Sequence, residues 1–231
     1  MKIIRLILVS WLLITVIGFA LPAYAKIHMV NLNVLTNGED DSIEFWVEVD
    51  DSTADPPSVV TSIIVTAPDG TTFDMTNDTW YEATKTFDSH KKFAADFLGG
   101  TIPSGLYKVK VVDNIGTIIN VTDRVTVNFL TPPEVTDPVE GSTVSSLTPT
   151  ITWTSVPGAE AYRIHLWNST WNHPIWWWVY PNIKYFNKNS FKIPTGILMS
   201  GFNYSIQIQA RDTLKDCDNR ATGTWRHFST P

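Results

Sequence analysis

Residues 198–211 read LMSGFNYSIQIQAR, and their alternation decides the fold. Tyr204, Ile206, Ile208 and Ala210 alternate with Ser205, Gln207, Gln209 and Arg211, a period of two that belongs to a strand with one face buried and the other wet. Gly201 supplies a turn just before it. The stretch YRIHLW at 162–167 repeats the pattern. It sends Tyr162, Ile164 and Leu166 to a core and leaves Arg163, His165 and Trp167 on the outer face. Strands that are apolar on one face only are those of antiparallel sheets packed in a sandwich.

Several motifs around these strands sit at family spacings. Pro149-Thr150-Ile151-Thr152-Trp153, then Val156-Pro157-Gly158-Ala159, then Tyr162 to Leu166 resemble the B strand, B–C turn and C strand of a fibronectin type III domain. Leu198, Gly201 and Tyr204 resemble its E–F corner and F strand. The resemblance implies that Tyr204 is a tyrosine corner, with its ring in the core and its hydroxyl on nearby backbone. It covers roughly residues 139–231 and carries little about function, because sandwiches host many unrelated activities.

Upstream, residues 26–130 alternate in the same way between turn signals. Ile43, Phe45, Val47 and Val49 point one way and Glu44, Trp46 and Glu48 the other. Ile63 and Val65 lead into Pro68-Asp69-Gly70, with Phe73 and Met75 returning. Phe93, Ala95 and Phe97 read as a further strand, and Val125, Val127 and Phe129 close the unit. The pattern, with Gly105-x-Tyr107-x-Val109-x-Val111, resembles an immunoglobulin-like sandwich. Residues 131–138 contain Pro132, Pro133 and Pro138 and read as an extended, semi-rigid linker. The expected fold class is therefore all-β: two tandem antiparallel β-sandwiches, immunoglobulin-like then fibronectin type III-like, placed end to end.

The N-terminus reads as an export signal. Lys2 and Arg5 precede an apolar run from Leu6 to Ala20, then Pro22 and the small residues Ala23 and Ala25, as in a secretory signal peptide (1–25) cleaved before Lys26. The run is shorter than a membrane span requires, and no later segment could span after cleavage. The chain has a formal charge of −6, more negative still without Lys2 and Arg5, which argues against nucleic acid as partner. Cys217 is the only cysteine, so no internal disulfide can form and each core must hold itself. The expected location is secreted, periplasmic or at the cell envelope.

Of the ten tryptophans in the chain, Trp167, Trp171, Trp176, Trp177 and Trp178 lie in one segment, joined by Tyr180, Tyr185 and Phe186. This C–C′ connection replaces the short polar turn usual in the resembled family, and both faces of a strand at 175–180 would be apolar. Three readings stay open for Trp167, Trp171, Trp176, Trp177, Trp178 and Tyr180. They form a structural ladder under Arg163 and Arg211 or against the other domain, a hot spot for a protein partner, or a platform on which sugar rings stack. The position of the turn after the C strand puts Trp171 and His173 at the tip remote from the first domain.

Acidic residues suggest calcium only weakly. Glu39-Asp40-Asp41 and Asp50, Asp51, Asp55 flank one strand, roughly 20 Å apart at about 3.3 Å per residue. Only the second group gains a neighbour, Asp113. His28, His90, His165, His173 and His227 show no metal-ligand spacing, and no nucleophile elbow, phosphate loop or zinc-protease motif is present. The sequence thus points to an exported, non-enzymatic interaction module with a protein or glycan partner and no cofactor. A carbohydrate-binding protein is the alternative, and an accessory domain of an enzyme system is a remoter one.

Overall fold

Strand faces follow the alternation almost residue for residue. The computed structural model describes residues 27–51, 56–170, 173–174, 185–186, 188–213 and 218–231, so the leader lies outside them. The first sandwich is built from β1 (Ile27–Asn37), β2 (Ser42–Asp51), β3 (Val60–Thr66), β4 (Thr72–Asp74), β5 (Thr79–Tyr81), β6 (Thr86–Asp88), β7 (Gly105–Asp113) and β8 (Ile118–Val125). One sheet runs β1-β2-β6-β5 and the other β4-β3-β7-β8. Ile43, Phe45, Val47 and Val49 are fully buried against Ile63, Val65, Tyr107, Val109 and Val111. Burying each such side chain contributes about 1.5–3 kcal/mol. The Pro68-Asp69-Gly70 turn forms as expected: Thr71 N–H donates to Asp69 Oδ1 at 2.9 Å, and Gly70 has φ 91°.

The strand expected at Phe93, Ala95 and Phe97 is absent. Ala94–Asp96 is a short 3₁₀ turn, Phe93 and Ala95 are exposed, and only Phe97 reaches the core. The reason is local: Phe93 N–H donates to Asp96 Oδ2 at 2.7 Å, and that carboxylate cap competes with extended backbone.

The second sandwich comprises β9 (Val135–Asp137), β10 (Ser142–Thr143), β11 (Thr150–Trp153), β12 (Ala161–Asn168), β13 (His173–Pro174), β14 (Tyr185–Phe186), β15 (Ser190–Lys192), β16 (Asn203–Arg211), β17 (Asn219–Thr222) and β18 (Arg226–Ser229). Strands β15-β11-β9 make one sheet. In the other, β16 pairs with β12 along one edge and with β17 and β18 along the other. Ile151, Trp153, Ile164, Leu166, Tyr204, Ile206, Ile208 and Phe228 fill the core between them. The proline-rich linker is shorter than residues 131–138, because Val135 is buried and β9 pairs with β11. Leu130 already belongs to the second core.

Tyr204 is fully buried, and its hydroxyl accepts the Met199 N–H at 2.8 Å, the corner expected from the Leu-Gly-Tyr spacing. A counterpart occurs in the first sandwich, where the Tyr107 hydroxyl donates to Pro103 O at 2.8 Å.

The two sandwiches are joined by hydrogen-bonded sheet as well as by the linker. The end of β1 pairs in parallel with β17, Thr36 opposite Asn219 and Asn37 opposite Arg220. A second parallel pairing joins β10 to β18, so the sheets are not purely antiparallel. Thr36 N–H donates to Asp218 O and Gly38 N–H to Arg220 O, both at 2.7 Å. The linker backbone crosses close to this joint: a Cβ on Gly38 would stand 1.8 Å from Leu130 O, and one on Gly223 1.9 Å from Pro133 O. These glycines are required by close approach of backbone and not by φ.

Two expectations follow. Tyr107→Phe and Tyr204→Phe should each cost about 1 kcal/mol in denaturant unfolding, the net worth of one buried hydrogen bond; no change in either would remove the corners from the account. Gly223→Ala should speed limited proteolysis around residues 126–134, whereas Gly99→Ala, whose Cβ would meet nothing nearer than 3.8 Å, should not.

Candidate functional site

The outer face of the β12–β16–β17/β18 sheet carries the side chains that the alternation leaves outside. Register sets them in rows. Trp167 lies opposite Ser205 and Ser205 opposite His227; His165 lies opposite Gln207; Arg163 lies opposite Gln209 and Gln209 opposite Thr222. The rows run from an uncharged group at the end remote from the first sandwich to a cationic one at the junction.

At the remote end Trp167, Ser169, Ser205, Trp225 and His227 line a shallow cavity of about 350 Å³. Trp225 is 41% exposed and Trp167 half-buried. Beneath the rings runs a polar ladder, with Ser169 Oγ 2.5 Å from Ser205 Oγ and Ser205 Oγ 2.7 Å from His227 Nδ1. A serine beside a histidine invites a catalytic reading, but the geometry is that of cross-strand neighbours. Ser205 is buried, and the nearby Glu140 carboxylate accepts the His227 backbone N–H at 3.0 Å instead of orienting the ring.

At the junction end Arg163, Arg211 and Arg220 share a cavity of about 350 Å³ with Asn31, Trp46, Asp123 and Asp218. Arg220 is committed there: it donates to Asn37 Oδ1 and to Glu44 Oε2, each at 2.7 Å, and its guanidinium stands 5.4 Å from the Trp46 ring centre. Between the two groups lies His165. Burial, reinforced by the positive charges of Arg163, Arg211 and Arg220, holds its imidazole down at about 4, against an ordinary 6.5.

Of the side chains singled out in the sequence, Trp167 stands on the outer face as expected. Trp171, Trp176, Trp177, Trp178 and Tyr180 lie outside the described residues. The backbone on either side of them is described. His173 and Pro174 pair with Asn168 and Trp167 at the remote end, where the turn was expected, while Tyr185 and Phe186 return beside Arg163 and Tyr162 near the junction. Trp225 was not anticipated. It sits between β17 and β18 in a Gly-Thr-Trp break without periodicity, and the only signal for it was an aromatic residue in a polar stretch.

The acidic candidates do not converge. Asp50 is exposed, only the backbone of Asp51 is described, and Asp55 lies outside the described residues. Asp113 is buried and serves its own turn, where Oδ1 accepts N–H groups of Ile115 at 3.1 Å and Thr117 at 2.6 Å. Burial pushes its carboxyl up, but hydrogen bonds from Thr117, Ile115 and Ile27 outweigh this and hold it below the usual carboxylate range. Among the described residues no three His, Cys, Asp or Glu side chains come together to hold a metal.

No protein-family model matches the chain, and no curated protein matches it. Among solved structures it is similar to the 47-kilodalton lipoprotein of Treponema pallidum, at 7% identity and TM-score 0.42, over 92% of this chain and 52% of that one. It is similar also to murine CEACAM1b, at 11% and 0.26 over 88% and 100%, and to extracellular domains 3–5 of Drosophila OTK, at 12% and 0.28 over 88% and 61%. The chain spans about half the length of the lipoprotein. With these TM-scores below 0.5, the tandem-sandwich architecture rests on the strands and cores themselves.

The depressed His165 imidazole makes stability depend on acid. The unfolded chain takes up this proton first as pH falls, so the stabilisation is whole above about 6.5 and is lost as pH falls towards 4, by at most about 3 kcal/mol. His165→Gln should flatten the pH dependence of the melting temperature across that window, and an NMR titration of His165 near 6.5 would contradict the assignment.

Proposed function

We propose that this chain is an exported, non-enzymatic interaction module of the cell envelope or extracellular space that engages its partner through the outer face of the second sandwich. On this reading residues 1–25 are a cleaved signal, residues 26–130 a spacer sandwich, and residues 139–231 the sandwich that presents the aromatic C–C′ connection. The observation that carries it is the convergence of Trp167 and Trp225, from different strands, on one open hollow of the solvent-facing sheet surface. Large aromatic side chains spared from the core in favour of such a position mark an interaction site. Trp171, Trp176, Trp177, Trp178 and Tyr180, in the connection that leaves the sheet beside Trp167, would extend the same surface. Among the described residues no helix is long and apolar enough to cross a membrane.

A glycan partner is the second reading, and one feature favours it. The hollow is lined by two indoles, two serines and a histidine with no formally charged carboxylate, ammonium or guanidinium group, a set that suits stacking on a sugar ring with hydroxyl groups in reach.

The test is binding of the purified chain to envelope extracts and to a polysaccharide panel. Trp225→Ala should leave the unfolding free energy within about 0.5 kcal/mol of the parent, as exposed substitutions do, and weaken binding by about tenfold or more, as a hot-spot residue does. Loss of binding after protease treatment of the extract identifies a protein partner, and retention with direct polysaccharide binding identifies a glycan. Unchanged binding in both Trp167→Ala and Trp225→Ala proteins that still fold would overturn this face as the site.

A further inference from the structure

The junction cavity has a lining that neither sandwich could build alone. The first sandwich supplies Asn31, Asn33 and Asp123, and the second supplies Arg163, Arg211 and Asp218. At about 350 Å³ it is large enough for a small molecule or one unit of a polymer, and domain interfaces are a common place for such pockets. Its polar groups are within a ligand's reach. Asn31 and Asn33 are exposed, and the two aspartates and two arginines are partly so.

Strand register explains why the second sandwich's share is cationic. Arg211 on β16 lies directly opposite Arg220 on β17. Arg163 on β12 lies opposite Gln209, which makes it the diagonal neighbour of Arg211 at about 7–8 Å between backbones. Like charges so placed repel one another, and an anion among them relieves the repulsion. Arg220 has Glu44, 2.7 Å away. Arg163 and Arg211 line the cavity together, two planar forks of the kind that grips a carboxylate.

The remaining groups choose among anions. Arginine only donates, an ionised aspartate only accepts, and an asparagine amide does both. Asp123 spends Oδ2 on the Val34 N–H at 2.8 Å and keeps Oδ1 as an acceptor. A sulfate or phosphodiester, all acceptor, would set lone pair against lone pair at Asp123 and Asp218. A carboxylate that also carries hydroxyl groups meets both kinds of lining: its charge suits the arginines, and its O–H groups suit the aspartates and amides.

We propose that the junction cavity binds a hydroxylated carboxylate, a uronic acid unit of an anionic polysaccharide, with the carboxylate on Arg163 and Arg211 and the hydroxyl groups on Asn31, Asn33 and Asp123. Because these two sets of contacts belong to different sandwiches, the ligand also ties the joint.

The full chain is titrated with methyl β-D-glucuronide, with methyl β-D-glucoside, which lacks the charge, and with acetate, which lacks the hydroxyl groups. The side-chain amides of Asn31 and Asn33 and the His165 imidazole are followed by NMR. The glucuronide is expected to shift both amides saturably, and the glucoside and acetate to bind at least about tenfold more weakly, as the loss of a charge-assisted hydrogen bond or of several neutral ones requires. His165, held down in part by Arg163 and Arg211, should titrate higher in its presence, since a carboxylate on those arginines offsets their repulsion. Arg211→Gln should weaken the glucuronide by about tenfold or more, and Asn33→Ala, at an exposed position that spares the fold, by about threefold to tenfold. Equal binding by acetate would mean an adventitious ion only and would overturn the proposal. So would equal binding by the glucoside, unchanged affinity in a folded Arg211→Gln or Asn33→Ala protein, or no saturable shift at the amides. A polysaccharide held through this cavity loses affinity in Arg211→Gln and not in Trp225→Ala, so this inference and the remote hollow fail separately.

Discussion

The Asn219 side chain fixes how the two sandwiches meet. Its Oδ1 accepts from Thr36 Oγ1 and from Asn128 N–H, both at 2.8 Å, and its Nδ2 donates to Thr126 O at 3.0 Å and Asp212 Oδ2 at 2.6 Å. A primary amide has two donors and an acceptor with two lone pairs, so every capacity is used. Three of the four partners come from β1 or the segment after β8, and the residue is 4% exposed. Separating the sandwiches by a small rotation would orphan buried groups at about 1–3 kcal/mol each, which gives the joint a single setting where a proline linker alone would allow several.

That setting determines what the outer surface can be. Because β17 pairs side by side with the end of β1, the cationic end of the second sheet is brought against Trp46 and Glu44 of the first. The Arg220–Glu44 pair, with side chains 17% and 13% exposed, bridges them. A mostly buried ion pair adds little net stability over apolar packing, but breaking it leaves a charge stranded. Its contribution here is specificity of arrangement: three arginines gather around His165, and that gathering, together with burial, keeps the imidazole neutral at the centre of the face.

Strand faces were legible in the sequence because period-two alternation is a property of the backbone, and Ile43 to Val49 obey it without exception; along Tyr204 to Ala210 the apolar set is buried as expected, but Ser205 and Gln209 on the outer face are buried too, under cross-strand neighbours. The Tyr204 corner was legible through spacing, while Tyr107 was visible only as a core residue. Legibility failed where local or distant hydrogen bonds replaced periodicity. Asp96 turned an apparent strand at 93–97 into a capped turn, and Val135–Asp137 paired as β9 despite its flanking prolines. The parallel joint left no pattern at all, since it is written in one asparagine, one arginine and two glycines whose importance depends on backbones distant in sequence. Trp167 could be placed on the outer face from its strand, but the hollow needed Trp225, which no repeat pointed to.

Trp46 ties the first sheet to the joint. Strand alternation puts it on the outer face of β2, on the same side as Glu44 two residues before it. Arg220 of the second sandwich donates to Glu44 Oε2 at 2.7 Å, and its guanidinium stands 5.4 Å from the centre of the Trp46 ring. One short stretch of one strand therefore supplies both the charge and the ring that receive Arg220. A ring contact keeps its attraction for a cation with little desolvation cost to itself, whereas the carboxylate must be paired once it is out of water. The joint is thus set by the register of β2 as much as by the pairing of β1 with β17: a slip of one residue would turn Glu44 and Trp46 into the core and leave the arginine without either.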